Sequence, residues 1–317
     1  MDKLKKLISR YQIPIKIAFL AVLVYFLGKL IVRNWQELIR YQFSVNISFL
    51  LYSFLIGITS YLFQSIAWYI TLKKMKVPIS FLEGMRGWYY SLLGKYIPGR
   101  VFQLLGRVYF IKKQKINRKL IGAGYIIETV MGLFSASFFI LIFLIYLIQK
   151  KEMIYTRIIF PLIFLLAVCV ILIQPSLLEY IINRILKILK KEPIRIKMHF
   201  SDLFILLTLA ITAMGIYGFS FYFFIKSFWP VTISSYFILI GSFCLYSIIN
   251  ILAFFSPNGL GIGELSLIYL LGRMLPTSLA IIISIALRIF ILLIEIATVG
   301  IVLLLDNLFF KTRREKG

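Results

Sequence analysis

The strongest constraint on the fold is a series of apolar runs that are long enough to cross a bilayer. They occupy residues 14–32, 47–72, 120–148, 156–174, 201–225 and 277–304. A transmembrane helix needs about 20 predominantly apolar residues. Within lipid every backbone polar group must be hydrogen-bonded internally, and helices meet that demand within one segment. The sequence, 61% hydrophobic, therefore predicts an all-α polytopic membrane protein with six full crossings.

The basic residues predict the orientation of the chain. Lys and Arg number 36 against 12 Asp and Glu, a formal net charge of +24, and they cluster in short loops between the apolar runs. Such loops stay on the cytoplasmic side of the cell membrane, beside anionic lipid headgroups. We therefore expect cytoplasmic N- and C-termini, a basic amphipathic segment 183–197 on the cytoplasmic surface, and no nucleic-acid partner.

Two segments, 81–111 and 232–274, do not fit the pattern of full crossings. The first is interrupted by Gly94-Lys95-Tyr96-Ile97-Pro98-Gly99-Arg100, and the second by Ser256-Pro257-Asn258-Gly259-Leu260-Gly261-Ile262-Gly263-Glu264. Two short helices that meet at a break predict a re-entrant hairpin, here one from the cytoplasmic face and one from the opposite face. Opposed hairpins are expected of an inverted repeat. We also expect a single transmembrane domain over 1–317 and no soluble domain.

The helix breaks also predict a binding site for a lipid phosphate or headgroup. A half-helix that begins inside the membrane presents unpaired N–H groups and a positive dipole end to an anion. Proline stops the preceding helix, and glycine lets the backbone turn and a headgroup approach. Arginines near the breaks would add positive charge, while Glu128 and Glu264 would orient a cationic headgroup or hold those arginines. The candidate residues are Lys95, Pro98, Gly99, Arg100, Arg107, Glu128, Pro257, Gly259, Gly261, Glu264 and Arg288.

A structural explanation of the same charges stays open at this point. Charged residues inside apolar runs are costly unless they are paired or hydrated. In this explanation the acids and arginines pair with one another, bind no ligand, and hold the bundle together. Arg288 and Glu295, seven residues apart, share one face of the last helix, and Glu128 lies four residues from both Gly124 and Gly132, on a face suited to close helix packing.

No residue set indicates catalysis, a metal or a cofactor. Cys169 and Cys244 lie inside apolar runs, and the single histidine, His199, lies beside a basic loop. These residues cannot form a disulfide framework or a His/Cys metal site. The sequence also lacks a nucleophile and base pattern, a dinucleotide fingerprint and a P-loop. We expect no cofactor, and enzymatic activity is left undecided.

The two motifs resemble those of the lysylphosphatidylglycerol synthase transmembrane, or flippase-like, family. The resemblance rests on Gly94-Lys95-Tyr96-Ile97-Pro98-Gly99-Arg100-Val101-Phe102-Gln103 with Arg107, on Glu128, and on Pro257-Asn258-Gly259-Leu260-Gly261-Ile262-Gly263-Glu264 with Arg288. It implies a multi-helix domain that moves a lipid with a modified headgroup between leaflets, as the membrane half of multiple peptide resistance factors does for aminoacylated phosphatidylglycerol. Some relatives are associated with polyprenyl-phosphate sugars.

One departure from the family pattern leaves two further functions open. Full-length synthases carry a soluble aminoacyltransferase domain after the membrane part, whereas this sequence ends at Gly317. Aminoacyl transfer would then need another polypeptide. The alternatives to a flippase are a transferase acting on a phospholipid or polyprenyl lipid, and a membrane component that works with a separate aminoacyltransferase or glycosyltransferase. Membrane lipids are the expected partners in every case.

Overall fold

The computed structural model describes residues 45–96, 101–111, 116–149, 174–188, 190–253 and 256–314, together with Val32. Two of the predicted crossings, 14–32 and 156–174, lie almost wholly outside these residues. In the part that is described, all regular secondary structure is helical, as the apolar runs predicted.

The helices are labelled here in chain order. They are α1 Ile47–Lys74, α2 Phe81–Ser91, α3 Val101–Phe110, α4 Arg118–Gln149, α5 Pro175–Ile188, α6 Phe200–Phe228, α7 Tyr236–Leu252, α8 Ile262–Leu271 and α9 Thr277–Arg314. Short 3₁₀ helices occupy Leu92–Tyr96, Ile233–Ser235 and Pro257–Gly259.

Five of the described helices are long and apolar enough to cross a membrane. They are Ile47–Lys74, Arg118–Ile148, Phe200–Phe228, Ile233–Leu252 and Thr277–Asp306. Four coincide with predicted crossings, and the fifth is the first arm of the predicted hairpin 232–274. These helices are those of a multi-pass membrane protein.

The long helices pack through small and hydroxyl side chains. Ser53 of α1 and Ser220 of α6 each donate to the other's backbone carbonyl, at 2.6 and 2.7 Å. At Gly57 a Cβ would lie 2.6 Å from Ile294 of α9, so the absence of a side chain brings a third helix into contact. In a membrane the hydrophobic effect does not drive helices together. They associate instead through close packing at small residues and through hydrogen bonds between helices.

The segment 81–111 forms an antiparallel pair of short helices. Helix α2 begins at a capping box in which Ser80 and Glu83 exchange hydrogen bonds. Along its length it faces α3, with Gly106 against Ser91 and Gly94 close to the backbone of Gln103. The 3₁₀ helix Leu92–Tyr96 at its tip contacts the 3₁₀ helix Pro257–Gly259. The two helix breaks therefore meet inside the bundle.

The predicted amphipathic segment 183–197 consists of the end of a helix and a stretch without helical structure. The helix is Pro175–Ile188, and residues 191–199 follow it without helical structure. The Asn183 side chain accepts from Ile194 N at 2.8 Å and donates to Ile194 O at 2.9 Å, while Glu179 accepts from Ile196 N. These polar side chains hold residues 191–199 alongside the helix. In this stretch Ile194, Ile196 and Met198 are buried, while Arg195 and Lys197 are exposed, so it is amphipathic; its cytoplasmic location stays a prediction.

Candidate functional site

A cavity of about 300 Å³ lies between α1, the α2–α3 pair, α4, α6 and α7, next to the meeting point of the two breaks. Its wall is rich in polar side chains for a bundle this apolar. The polar and charged lining residues include Tyr61, Gln64, Lys95, Gln103, Arg107, Tyr125, Glu128, Tyr217, Tyr246, Asn250 and Asn258.

Arg107 and Glu128 form the first ion pair of the cavity wall. Arg107, on α3, is 1% exposed, and its Nη1 and Nη2 both donate to the Glu128 carboxylate on α4. The guanidinium lies 4.2 Å from the centre of the Trp68 ring and 4.9 Å from that of Tyr125. Trp88 Nε1 adds a 2.9 Å hydrogen bond to Glu128. Both residues line the cavity. Arg107 is fixed between rings, and the Glu128 side chain, 25% exposed, is the more accessible member of the pair.

Lys95 and Glu295 form the second ion pair. Lys95, at the tip of the first hairpin, lines the cavity and donates to Glu295 Oε1 on α9. Glu295 itself is fully buried and also accepts from the Tyr61 hydroxyl at 2.6 Å. A buried carboxylate is stable only with such partners. Lys95, with 16% of its side chain exposed, is therefore the cation that this pair presents to the cavity.

Glu264 and Arg288 form a third ion pair at the second break. Glu264 Oε2 accepts from Gly261 N at 2.6 Å, and Oε1 accepts from Arg288 Nη1. The carboxylate therefore caps the N-terminus of its own helix, α8, where its charge also suits the helix dipole. An anion was expected at this N-terminus, and in the structure that position is occupied by a carboxylate of the chain itself.

The glycines of the second break make room for a neighbouring helix. Gly259 and Gly261 have φ of +69° and +89°, and Asn258 has φ of +46°, so the chain turns through left-handed backbone. A Cβ at Gly259 or at Gly263 would lie 2.1 Å from Asn250 Oδ1 on α7. The close approach that glycine permits here is thus made by a side chain of α7.

The comparison with protein families matches the chain to one described as lysylphosphatidylglycerol synthase TM region. The match covers residues 13–298, which include both breaks and all three ion pairs. The chain belongs to this family. The resemblance drawn from the two motifs is thereby confirmed. A comparison with curated proteins finds no match.

In this member of the lysylphosphatidylglycerol synthase TM-region family, the predicted site residues fall into two groups. Lys95, Arg107 and Glu128 line the cavity. The second group lies at the adjoining break between α7 and α9: Pro257, Gly259, Gly261, Glu264 and Arg288. Pro98, Gly99 and Arg100 lie outside the described residues.

Several residues of the site were absent from the predicted set. Glu295 was recognised as a charge in an apolar run, but its partner proved to be Lys95 rather than Arg288. Tyr61, Trp68 and Trp88, which surround the ion pairs, gave no signal because aromatic residues make up 16% of the chain. Among the described residues no group of three or more His, Cys, Asp or Glu side chains is placed to hold a metal ion.

Proposed function

We propose that this protein is a flippase-like translocator of a phospholipid with a modified headgroup, such as an aminoacylated one, or of a related lipid phosphate. The observation that carries the proposal is the cavity, which presents two charges of opposite sign from different walls: Lys95 at the tip of the first hairpin and Glu128 on α4. Lys95 would bind the phosphate, and Glu128 would bind a cationic group on the headgroup. Membership in the family supports contact with lipid.

Moving a charged headgroup through hydrocarbon is costly, and the cavity would lower that cost. A lipid headgroup carries fixed charges, and exposing them to the membrane interior costs several kcal/mol each. Lys95 and Glu128 are already partly desolvated and held by Glu295, Arg107 and Trp88. A headgroup that enters the cavity therefore exchanges its hydration for oriented charged partners.

We further propose that 81–111 and 232–274 are re-entrant hairpins of an inverted repeat, so that the chain makes six crossings and both termini are cytoplasmic. The contact between Leu92–Tyr96 and Pro257–Gly259 supports this arrangement, because opposed hairpins bring their tips together. Pro98, Gly99 and Arg100 would complete the headgroup site at the first tip. The pair formed by Glu264 and Arg288 would hold the second tip in place.

The test is a leaflet-exposure assay on the purified protein in vesicles that contain a fluorescent phosphatidylglycerol. We expect wild-type protein to speed the transfer of the lipid between leaflets, and Lys95→Gln to slow it by about 10- to 100-fold, because a charge-assisted hydrogen bond contributes about 1.5–3 kcal/mol. Lys119→Gln is the matched control, since Lys119 also pairs with a glutamate, the exposed Glu192. Transfer of the lipid between leaflets at the rate of protein-free vesicles would contradict the proposal.

The family description favours a second candidate, a membrane component of a lysylphosphatidylglycerol synthase or lipid-linked glycosyltransferase system that acts with a separate catalytic polypeptide. Under that function, the charged cavity would hold the lipid for the partner enzyme. Lipid extracts separate the two: a new lipid species that requires both this chain and a co-expressed aminoacyltransferase or glycosyltransferase, with unchanged transfer between leaflets, would select the second candidate.

A further inference from the structure

We propose that Gln103 binds a hydroxyl group of the lipid headgroup, and that the cavity thereby selects headgroups with a hydroxyl on the linker between the phosphate and the cationic group. In phosphatidylglycerol and its aminoacyl esters this linker is a glycerol, which carries such a hydroxyl. The inference rests on the proposed function, because it takes Lys95 and Glu128 as the residues that meet the phosphate and the cation. It adds the residue that recognises the part of the headgroup between them.

Gln103, on α3, is a buried amide side chain in the wall of the cavity. The residue lines the cavity and is 8% exposed. Its Oε1 accepts from the Tyr125 hydroxyl of α4 at 3.2 Å, whereas its Nε2 makes no hydrogen bond within the part of the chain that the structure describes. A polar group that is withdrawn from bulk water and left without a hydrogen bond costs free energy. The amide therefore has one hydrogen-bonding atom to offer to a group in the cavity.

Gln103 lies between the two charged residues of the proposed site. On one side, its backbone N is 2.7 Å from the position that a Cβ of Gly94 would take, and Gly94 directly precedes Lys95. On the other side, its amide bonds Tyr125, which lies about one helical turn before Glu128 on α4. A headgroup that reaches from Lys95 to Glu128 therefore passes Gln103.

A hydroxyl is the group that suits this amide. The phosphate and the cation form stronger, charge-assisted hydrogen bonds with Lys95 and Glu128 than with a neutral amide, so Gln103 is left for a neutral part of the headgroup. A hydroxyl both donates and accepts, and an amide has one end that donates and one that accepts. The two groups can therefore bond whichever end of the amide faces the cavity.

The test compares two lipids that differ only in their hydroxyls, on the full-length protein in detergent. Dioctanoyl phosphatidylglycerol and dioctanoyl phosphatidylpropanol share the acyl chains, a three-carbon headgroup and one negative charge, but the propanol headgroup has no hydroxyl. Calorimetric titration gives the dissociation constant of each lipid. We expect wild-type protein to bind phosphatidylglycerol about 3- to 10-fold more tightly, the factor that corresponds to one neutral hydrogen bond.

A change of Gln103 tests whether this residue makes the hydroxyl contact. Gln103→Met keeps an unbranched side chain of similar length but has no amide, and Gln103→Leu is the second choice if it does not fold. We expect the variant to bind the two lipids equally, because the hydroxyl contact is lost while the phosphate contact of Lys95 stays. Gln174→Leu is the matched control, since Gln174 is exposed and lies outside the cavity. It should keep the wild-type ratio of the two dissociation constants.

A third lipid distinguishes a glycerol from a sugar as the source of the hydroxyl. Dioctanoyl phosphatidylinositol carries a sugar-like ring with five hydroxyls on the same phosphate. Since Gln103 offers one atom, the additional hydroxyls gain no bond from it, and we expect phosphatidylinositol to bind no more tightly than phosphatidylglycerol. Tighter binding that is lost in Gln103→Met would assign the contact to a sugar and overturn the glycerol linker.

The remaining outcomes separate this inference from the function on which it rests. Equal affinity of wild-type protein for phosphatidylglycerol and phosphatidylpropanol overturns the hydroxyl contact and leaves the phosphate site standing. A preference that persists in Gln103→Met, or an equal loss of affinity for both lipids in that variant, overturns the role of Gln103. Absence of binding of either lipid to wild-type protein overturns the phosphate site at Lys95, and this inference with it.

Discussion

At the scale of single residues, the two members of the pair Arg107–Glu128 have different roles. Arg107 is held between the rings of Trp68 and Tyr125 and is almost fully buried. Glu128 reaches the cavity and receives donors from Arg107 and Trp88. Arg107 therefore fixes the orientation of the Glu128 carboxylate, and under the proposed function Glu128 is the residue that meets a headgroup.

Removing Arg107 should destabilise the protein far more than neutralising Glu128. In Arg107→Leu a largely desolvated carboxylate loses its counter-ion, a change that costs about 3–5 kcal/mol when both partners are buried and less here because Glu128 is partly exposed. Glu128→Gln removes the counter-ion of Arg107 but keeps one oxygen for Trp88 and the guanidinium, which also retains its contacts with the rings of Trp68 and Tyr125, so it should cost about 1–2 kcal/mol. Thermal unfolding in detergent measures the difference, with the exposed Arg184→Leu as control. Equal losses for the two variants would contradict the assigned roles.

The sequence could identify the charged residues but not their partners. Arg107, Glu128, Glu264 and Arg288 were all recognised because charges in apolar runs are rare and costly. The contact of Lys95 with Glu295, 200 residues apart in sequence, depends on how the first hairpin tip meets α9, and spacing within one helix carries no information about it.

At the scale of the helices, the second break is shaped by packing between α7 and α8. Gly263 lies in the first turn of α8, directly against Asn250. Gly263→Ala should destabilise the protein by about 1–3 kcal/mol, because the added methyl overlaps the Asn250 side chain. Gly300→Ala in α9, where a Cβ would meet nothing within 4 Å, should be neutral or slightly stabilising.

A double variant tests whether the contact with Asn250 causes the loss of stability expected for Gly263→Ala. Gly263→Ala combined with Asn250→Ala should be less destabilised than the sum of the two single changes, as measured by a double-mutant cycle on thermal unfolding. Strict additivity would show that the glycine is needed for another reason.

Hydropathy predicted the apolar, membrane-crossing part of the long helices but not how far a helix continues beyond that part. The predicted runs 47–72 and 201–225 agree with Ile47–Lys74 and Phe200–Phe228 to within three residues. The predicted last crossing, 277–304, agrees with the apolar span Thr277–Asp306, and the helix itself continues to Arg314. Asp306 at that extension binds Arg86 and Tyr90 of α2, at 2.5 and 2.6 Å, a link between the last helix and the first hairpin that apolar periodicity does not reveal.

At the scale of the whole molecule, the number of crossings depends on the segment 232–274. As a re-entrant hairpin it places Thr232 and Thr277 on the same side of the membrane. The helix Ile233–Leu252 is also long enough to make one full crossing. If it crosses and α8 does not, Thr232 and Thr277 lie on opposite sides of the membrane. Both threonines are exposed in the structure, so cysteines introduced there can be labelled.

Labelling of intact cells with a membrane-impermeant thiol reagent distinguishes these arrangements. After replacement of Cys169 and Cys244, we expect Thr232→Cys and Thr277→Cys both to react from outside. Lys76→Cys and Lys119→Cys should react only after the cells are permeabilised, because the proposed orientation places their basic loops in the cytoplasm. Protection of Thr277→Cys in intact cells would contradict the opposed hairpins.

The most direct test of the account compares two lipids in one leaflet-exposure assay: phosphatidylglycerol and its lysyl ester, in vesicles with wild-type protein, Glu128→Gln or the exposed control Glu192→Gln. We expect wild-type protein to move both lipids faster than protein-free vesicles. Glu128→Gln should slow the lysyl ester by about tenfold, since a charge-assisted contact is lost, and should affect phosphatidylglycerol much less. Rates equal to those of protein-free vesicles, or an equal effect of Glu128→Gln on both lipids, would contradict the account.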